Sequence, residues 1–359
     1  MFHPADFPAA GFPYILSTVD TVTEAASDAP PTLHPDILTV FVHANGQTRP
    51  AVAVDPAWLS PDSGVIFWAD IRNADPAETR RILSDVFHFH ELSVEDAVGS
   101  THHPKVETYQ DYLYLILHGI DFNATKQGGF STHDIDFFIG QHFLVTVHNG
   151  TSRSIAAVQG ICPRNDLVLG SGPLALVHRI VDTLVDNYRP EVSLLEDRLD
   201  EAEDAVFSSN NEAIVHQILA LKRDVGWLRR VVLPQRDVIA RLARREFAAV
   251  DDALSYKFRD VHDHLVRLAD EANTFHDRIT SVLDAHLSFV SNRMNEVMKV
   301  LTLIATIFMP LTVLTSLYGM NVRLPPMPGG ETAQFWEILL MMVVMSGGML
   351  WYFRGRGWF

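Results

Sequence analysis

The feature that most constrains this chain is an uncharged segment near its C-terminus, residues 300–318. Its sequence, VLTLIATIFMPLTVLTSLY, holds no acidic or basic side chain and is apolar apart from its hydroxyl groups. As an α-helix, a segment of this length rises roughly 28 Å, which is close to the hydrocarbon thickness of a bilayer. The segment is therefore predicted to cross a membrane, and a buried helix of a soluble core is the less favoured alternative.

A second apolar segment, residues 335–353, predicts a second transmembrane helix, with Glu337 near one end. Two spans place both chain termini on the same side of the membrane. The loop between the spans contains one basic residue, Arg323, whereas the flanks on the terminal side contain Arg293, Lys299, Arg354 and Arg356. Since basic residues accumulate on the cytoplasmic side, both termini are predicted to be cytoplasmic and the protein to lie in the cell (inner) membrane.

The rest of the chain has the composition of a cytosolic protein. Its 359 residues contain one cysteine, Cys162, so no intrachain disulfide can form and a reducing compartment is expected. The N-terminal sequence MFHPADFPAAGFPYIL has no basic region followed by a continuous apolar core, and no secretory signal is predicted. The formal net charge of −16 is consistent with cation transport, and no nucleic-acid partner is expected.

Short β-rich runs between residues 37 and 150 predict a mixed α/β domain with a central sheet. The runs are ILTVFVHA, GVIFWADI, YLYLILHGID, DIDFFIG and HFLVTVHNG, and they alternate with helical stretches near 76–87 and 91–98. Asn-Gly and Gly-Gly pairs separate several of the runs. Strand order does not follow from the sequence, and residues 1–34, rich in Pro, Ala and Asp, predict a loosely ordered leader.

From Pro173 onward the pattern is helical. Residues 190–207 hold seven acidic side chains against one arginine and lead through SSNNE into a second helix, which is predicted to end near Pro234. This pattern is typical of an antiparallel helical hairpin with an acidic arm. A solvated face and a role in attracting cations are both open interpretations of the acids.

The segment 251–299 carries the apolar repeat of a long packed helix. Steps of four and three residues separate Leu254, Phe258, Val261, Leu265, Leu268, Ala272, Phe275, Ile279, Val282, His286 and Phe289. No Pro or Gly interrupts the repeat before Pro310, so the same helix is expected to continue into the membrane. Residues 255–317 would span roughly 95 Å as one stalk.

A second face of this helix carries a polar stripe that packing does not explain. Asp263, Asp270, Asp277, Asp284 and Ser291 recur every seven residues, with Asp260, Arg267, Thr274, Ser281 and Ser288 three residues before them. The stripe continues through Asn295, Met298, Thr302, Ala305, Met309, Thr312 and Ser316. Polar side chains cross a bilayer at low cost only when they line water or a partner, so several copies are expected to arrange these helices around a pore whose aspartate rings attract cations. A solvated face would account only for the charges before residue 290.

The sequence SFVSNRMNEVMKVLTLIATIFMPLTVLTSLYGMN resembles the hallmark region of the CorA family of divalent-cation (Mg²⁺/Co²⁺) transporters, which ends its first membrane helix in Gly-Met-Asn. The likeness extends back through FRDVHDH to HELSVEDAVGSTHHPKVETYQDYLYLI, residues 90–116, and forward to the tail FRGRGWF. It therefore covers about residues 90–359. The motif is specific because it stands between two predicted membrane spans.

The resemblance implies a homopentameric, funnel-shaped α+β membrane protein with no organic cofactor, whose Mg²⁺ is both transported and regulatory. It implies a selectivity ring of Gly319, Met320 and Asn321, in which Gly319 permits the turn that ends the helix. It also implies pore-lining positions at Asp284, Asn295, Met298, Leu301, Met309 and Thr312. The regulatory metal site between neighbouring subunits maps to Asp96 and Asp260, with Glu95 beside it.

Together, these features predict the division of the chain. The predicted parts are a variable leader (1–34), a cytosolic α/β domain (35–172), a helical hairpin (173–250), a stalk helix (251–299), a pore-lining first transmembrane helix (300–318), a periplasmic loop with Gly-Met-Asn (319–334), a second transmembrane helix (335–353) and a basic, aromatic cytosolic tail (354–359).

Three alternatives stay open at this point. The loop VRLPPMPGGE departs from the common family form by placing Arg323 near the entrance and the nearest acid at Glu331, which leaves the preferred ion open between Mg²⁺ and Zn²⁺. A membrane-anchored cation sensor without a pore would use Asp96 and Asp260 but would not need Asn321. A metal-dependent enzyme is disfavoured, because the spacing of its candidate ligands is not that of a zinc helix: His88, His90, Glu91, His102 and His103.

Overall fold

The computed structural model describes residues 37–99, 103–121, 131–150, 152–208, 212–320 and 330–358. The predictions for the leader 1–34, for His102, for Asn321 and for Arg323 lie outside the described residues, as does the side chain of Glu331.

The N-terminal part contains a seven-stranded sheet, which confirms the predicted α/β domain. The strands, in chain order, are β1 (Leu38–Ala44), β2 (Gln47–Ala51), β3 (Ile66–Arg72), β4 (Lys105–Thr108), β5 (Leu113–Asp121), β6 (Ser131–Ile139) and β7 (Phe143–His148). They are ordered β2-β1-β3-β7-β6-β5-β4, and only β3 and β7 pair in parallel. The five predicted runs correspond to the five longer strands. The short edge strands β2 and β4 were missed because they are polar.

Alternating side chains give the sheet two buried faces. On one face, Trp68, Phe137 and Leu144 belong to the core formed with the later helices. On the other face, Phe67 and Phe138 pack with Val94 and its neighbours on the two short helices of this domain. Those helices are α1 (Pro76–Arg81), which continues into a wider turn over 82–86, and α2 (Glu91–Val98).

The remaining helices follow in the chain. They are α3 (Arg153–Ile161), α4 (Leu167–Gly170), α5 (Pro173–Asp186), α6 (Tyr188–Ser208), α7 (Glu212–Ala243), α8 (Asp252–Tyr318) and α9 (Gly330–Gly355). Among them, α4, α5 and α7 contact strands of the sheet. The helices α6 and α7 form the predicted hairpin.

The predicted end of α7 near Pro234 is wrong, because the helix passes through this proline and ends at Ala243. A proline inside a helix removes one backbone hydrogen bond. Buried contacts compensate for that loss: Gln235, 1 % exposed, accepts a hydrogen bond from the His118 N–H (2.9 Å) and donates to the Tyr188 hydroxyl (3.0 Å). Tertiary packing thus overrides the local signal for a helix end.

The helix α8 spans 67 residues, roughly 100 Å, and begins where the Asp251 carboxylate accepts a hydrogen bond from the Leu254 N–H at 2.7 Å. Its predicted apolar repeat is confirmed from Phe258 to His286, where every member is buried. This part of α8 packs mainly along α7, with α5 and α6 beside it. The stalk is therefore anchored to the cytosolic part along about half of its length.

Both predicted spans lie on helices that are long and apolar enough to cross a membrane, α8 and α9. Only 6 % of the most apolar stretch of α8 is buried, and 0 % of that of α9. A core helix of a soluble protein would be mostly buried, so these surfaces require lipid or further protein to cover them.

Candidate functional site

The polar stripe of α8 is exposed along its whole length. Asp263, Asp270, Asp277 and Asp284 are all exposed in the part that packs on α7, opposite the buried repeat. Further along the helix, the stripe continues through exposed Asn295, Met298, Thr302, Ala305, Met309, Thr312 and Ser316. One helix thus presents a charged face in its first half and a small, polar and thioether face in its second half.

Several hydroxyl groups of the stripe donate to carbonyls of their own helix. Thr312 donates to the Phe308 carbonyl at 2.9 Å, and Ser288 donates to the Asp284 carbonyl at 2.9 Å. Because the hydroxyl proton is used within the helix, the outward lone pairs of each oxygen act as acceptors. Acceptors of this kind suit the water molecules around a hydrated cation, which point their protons outward.

The other side chains of residues 287–318 are mostly apolar and exposed. Phe308 and Val313 are 61 % and 63 % exposed, and Leu303 is the one buried residue of this segment. A cleft of about 430 Å³ between α8 and α9 is lined on the α8 side by Leu301, Thr302 and Met309, and on the α9 side by Met349. The helix α9 therefore leaves the stripe open along one flank.

The described chain leaves α8 through Gly319 and Met320, the first two residues of Gly-Met-Asn. Gly319 has φ −85°, so it does not need the left-handed conformation that often follows a helix. Its N–H donates to the Thr315 carbonyl at 2.9 Å, and a Cβ atom here would lie 3.0 Å from that oxygen. Glycine is favoured at this position because the backbone turns closely over the last turn of α8.

Asp96, on α2, lies in a network of charges at the edge of the sheet. The Lys105 ammonium donates to Asp96 Oδ2 at 2.5 Å and to Glu107 Oε1 at 3.0 Å. The side chains of Asp96, Lys105 and Glu107 are 23 %, 31 % and 43 % exposed, so solvent ions can reach them. Burial by itself lowers the pKa of Lys105, but the hydrogen bonds that its ammonium donates to Asp96 and Glu107 raise that pKa above its ordinary value, so the ammonium is charged.

A buried acid lies beneath this network. Asp136 accepts a hydrogen bond from the Tyr114 hydroxyl at 2.5 Å, and the Lys105 ammonium lies 5.7 Å from the centre of the Tyr114 ring. Burial raises the pKa of Asp136 to about 8, although the Tyr114 hydrogen bond opposes that shift. Burial, and then the charge of Asp136, raises the pKa of Tyr114.

Within one chain, Asp96 and Asp260 do not come together. Asp96 is on α2, which covers one face of the sheet, whereas Asp260 is an exposed residue of α8, which covers the other face. Across the part of the chain that the structure describes, no three His, Cys, Asp or Glu side chains form a group that could hold a metal ion. Carboxylate oxygens are the donors that Mg²⁺ prefers, but the fold of one chain does not bring these two acids to a common site.

Two acids of the predicted acidic arm are engaged by α8. The Arg278 guanidinium donates to Asp200 Oδ1 at 2.6 Å and, through two nitrogens, to both carboxylate oxygens of Glu203 at 2.8 and 3.0 Å. The hydrogen bonds to Glu203, and then the one to Asp200, raise the pKa of Arg278. Part of the arm therefore ties the hairpin to the stalk, which is a third role beside the two open interpretations.

The candidate enzyme ligands have local structural roles. His90 begins α2, where its Nδ1 accepts a hydrogen bond from the Leu92 N–H at 3.2 Å, and His88 lies 3.1 Å from the Ser84 carbonyl. Glu91 and His103 are exposed.

Sequence reasoning missed Lys105, Glu107, Asp136 and Arg278. Lys105 and Glu107 stand in the segment HPKVE, next to the predicted strand YLYLILHGID, but nothing in their spacing indicates that the ammonium reaches Asp96. A signal existed for Arg278 only, since a cation on a helix that is predicted to follow an acidic arm favours an ion pair with it.

The sequence model of the family described as "CorA-like Mg²⁺ transporter protein" matches residues 63–355. The putative metal ion transporter YfjQ of Bacillus subtilis is 31% identical over 293 residues, which are 82% of this chain and 90% of that protein. The cobalt/magnesium transport protein CorA of Thermotoga maritima is 29% identical over 301 residues, 83% of this chain and 84% of that protein. The zinc transport protein ZntB of Yersinia enterocolitica is 26% identical over 312 residues, 86% and 89% of the two chains.

The fold also matches a solved structure over nearly its full length. The complete structure of the CorA magnesium transporter from Methanocaldococcus jannaschii superposes with a TM-score of 0.78 at 22% identity. The match covers 90% of this chain and 99% of that chain. The α/β domain, the long helix α8 and the apolar helix α9 thus have the arrangement seen in that structure.

Proposed function

Because the chain belongs to the CorA family of divalent-cation transporters, we propose that it carries Mg²⁺, with Co²⁺ and Ni²⁺ as further substrates, through a pore formed by several copies. The observation that carries this proposal is the exposed stripe of α8. The stripe crosses the apolar segment with acceptor oxygens outward, and a lone helix would expose it to lipid at high cost.

Copies of the chain arranged around an axis would turn this stripe inward. Family membership supports a homopentamer in the cell membrane, with both termini in the cytoplasm. In that assembly Asp284 would form an anionic ring at the cytoplasmic mouth, and Met298, Leu301 and Met309 would form an apolar constriction that loses water when it narrows. Asn295 and Thr312 would contribute one polar ring on each side of this constriction.

Selectivity would rest on Gly319, Met320 and Asn321. A ring of neutral Asn321 carboxamides can accept hydrogen bonds from the waters of a hydrated ion and bind it more weakly than carboxylates would. Weak binding permits release, which conduction requires.

Regulation would use Asp96 of one copy and Asp260 of the next, with Glu95 nearby. These carboxylates lie on opposite faces of the sheet within one chain, so only a neighbouring copy can bring them together. Cytosolic Mg²⁺ bound between them would offset their repulsion and hold the subunits in a closed arrangement, while depletion would release them. The substitution Asp260→Lys is then expected to abolish closure by Mg²⁺ in reconstituted channels.

The experiment that tests transport is Mg²⁺ flux into proteoliposomes, measured with a fluorescent dye. The Asn321→Ala variant is expected to lose most of the flux or its preference for divalent cations. Asn292→Ala is the matched control, since Asn292 is an exposed asparagine of α8 that lies outside the stripe. A non-conducting sensor would show no Asn321-dependent flux at all.

Zinc transport is the second candidate, and the similarity to a zinc transport protein favours it. Flux measured in parallel with Mg²⁺, Co²⁺, Ni²⁺ and Zn²⁺, with and without a proton gradient, separates the two. If only Zn²⁺ enters, and only with the proton gradient, the substrate is Zn²⁺ and not Mg²⁺.

A further inference from the structure

The Lys105 ammonium already occupies the position that a cation would take at Asp96. It lies 2.5 Å from Asp96 Oδ2, so the two groups share a charge-assisted hydrogen bond. Asp96 is partly exposed, so an ion from solution can approach the same carboxylate. A divalent cation and Lys105 would therefore compete for one acid.

The Lys105 ammonium has other contacts that can hold it when it leaves Asp96. Glu107 Oε1 lies 3.0 Å from it, and Glu107 is itself held by a hydrogen bond from the Tyr109 hydroxyl to Oε2 at 3.2 Å. The Tyr114 ring provides a second, weaker contact for the cation at 5.7 Å. Displacement from Asp96 thus breaks one of two ion pairs and does not leave the charge without a partner.

We propose that Lys105 is a tethered competitor that sets how much divalent cation the Asp96 site needs and excludes monovalent cations from it. This inference rests on the proposed regulatory role of Asp96. The ammonium is covalently fixed beside the carboxylate, so its effective concentration there is in the millimolar range or higher. Free K⁺ carries the same charge and gains nothing by displacing it, whereas Mg²⁺ brings twice the charge to the same oxygen.

Two quantities follow from this competition. Removal of the ammonium by Lys105→Met is expected to tighten Mg²⁺ binding about three- to tenfold, since a partly exposed ion pair no longer has to be broken. The same variant is expected to make Mg²⁺ binding weaker in KCl than in N-methyl-D-glucamine chloride at equal ionic strength. The unmodified protein should show little difference between the two salts.

The experiment is a calorimetric titration of the full-length, detergent-solubilised protein with MgCl₂. Lys222→Met is the matched control, since Lys222 is an exposed lysine of α7 and its loss changes the net charge equally. Lys105→Arg keeps the charge and is expected to bind Mg²⁺ with near wild-type affinity. Circular dichroism of each variant establishes that it is folded.

The outcomes separate this inference from the function on which it rests. If Asp96→Asn leaves the Mg²⁺ titration unchanged, the regulatory site at Asp96 is wrong and the competition falls with it. If Asp96→Asn removes binding but Lys105→Met weakens binding or has no effect, Asp96 is a site and Lys105 positions it or is irrelevant, which overturns the competition alone. Tightening by Lys222→Met to the same extent would reduce the effect to net charge and would also overturn it.

Discussion

The two halves of α8 contain similar apolar side chains and place them in opposite environments. In the first half, Phe258 and Val261 are 0 % exposed against the hairpin and the sheet. In the second half, Phe308 and Val313 are 61 % and 63 % exposed. The same helical period therefore places apolar side chains in two environments. The first half of α8 packs against its own chain, whereas the second half needs lipid or other copies to cover it.

The polar face changes at the same place. Aspartates recur up to Asp284, after which the stripe carries hydroxyl, carboxamide and thioether groups. A carboxylate in the membrane would carry a very large desolvation cost, whereas a hydroxyl that donates to its own helix, as Thr312 does to the Phe308 carbonyl at 2.9 Å, carries a smaller one. The stripe therefore stays on one face of α8 into the apolar segment, while the side chains on that face change from charged to uncharged groups.

The sharpest test of this contrast is a matched pair of leucines on α8, Leu265 (1 % exposed) and Leu301 (57 % exposed). Leu265→Ala leaves a cavity in the core and is expected to lower the free energy of unfolding by about 2–5 kcal/mol. Leu301→Ala removes no buried contact, so it is expected to alter flux while unfolding stays nearly unchanged. Urea unfolding of the full chain in detergent, followed by circular dichroism, measures both, and equal losses would contradict the division of α8.

A buried acid in the cytosolic part gives a pH-dependent test. The pKa of Asp136 is raised to about 8, so the folded state keeps a proton that the unfolded state releases near the ordinary carboxyl pKa of 3.8. Its contribution to stability is therefore complete below about pH 4 and is lost as the pH rises through about 8. Asp136→Asn is expected to reduce the fall in unfolding free energy between pH 5 and pH 9 by about 1–3 kcal/mol.

The control for this test is Tyr114→Phe. Because the Tyr114 hydroxyl favours the charged form of Asp136, its loss should move the decline in stability to higher pH. Urea unfolding at several pH values provides the measurement, and an unchanged pH profile in Asp136→Asn would assign the dependence to other groups.

The smallest expected effect concerns surface charges on the two halves of α8. Arg278 is 29 % exposed and bridges Asp200 and Glu203, so Arg278→Ala is expected to lower the free energy of unfolding by about 1 kcal/mol. Arg293, 65 % exposed, pairs with Glu296 at 3.0 Å within its own helix. Arg293→Ala is expected to change it by less than about 0.5 kcal/mol. Similar losses in the two variants, in the same urea assay, would mean that Arg278 does not tie the hairpin to the stalk.

Much of the fold followed from local patterns. The apolar repeat of α8 predicted the buried face from Phe258 to His286, because a period of 3.5 residues keeps the apolar side chains on one face of the helix. The end of α7 was not predictable in this way, since Pro234 is a local signal and the contacts of Gln235 that carry the helix past it come from distant strands and helices. The edge strands β2 and β4 had no apolar alternation to reveal them.

For the candidate site, the sequence placed the stripe but not the charges around Asp96. The positions of Gly319 and Met320 at the end of α8 follow from the motif, and the motif's functional role stays a prediction. The pairing of Lys105 with Asp96 depends on how α2 packs beside β4, which no spacing in the chain encodes.

Two candidate membrane helices, a long stalk and a continuous polar stripe were predictable from the chain alone, because hydropathy and helical period are local properties of each segment. Only the tertiary structure decided which charges meet. Lys105 reaches Asp96 across nine residues, and Arg278 reaches Glu203 across 75 residues, because the packing of the sheet and helices brings them together. The tertiary structure also decided that Asp96 and Asp260 lie on opposite faces of the sheet, so a site that uses both must be shared between copies.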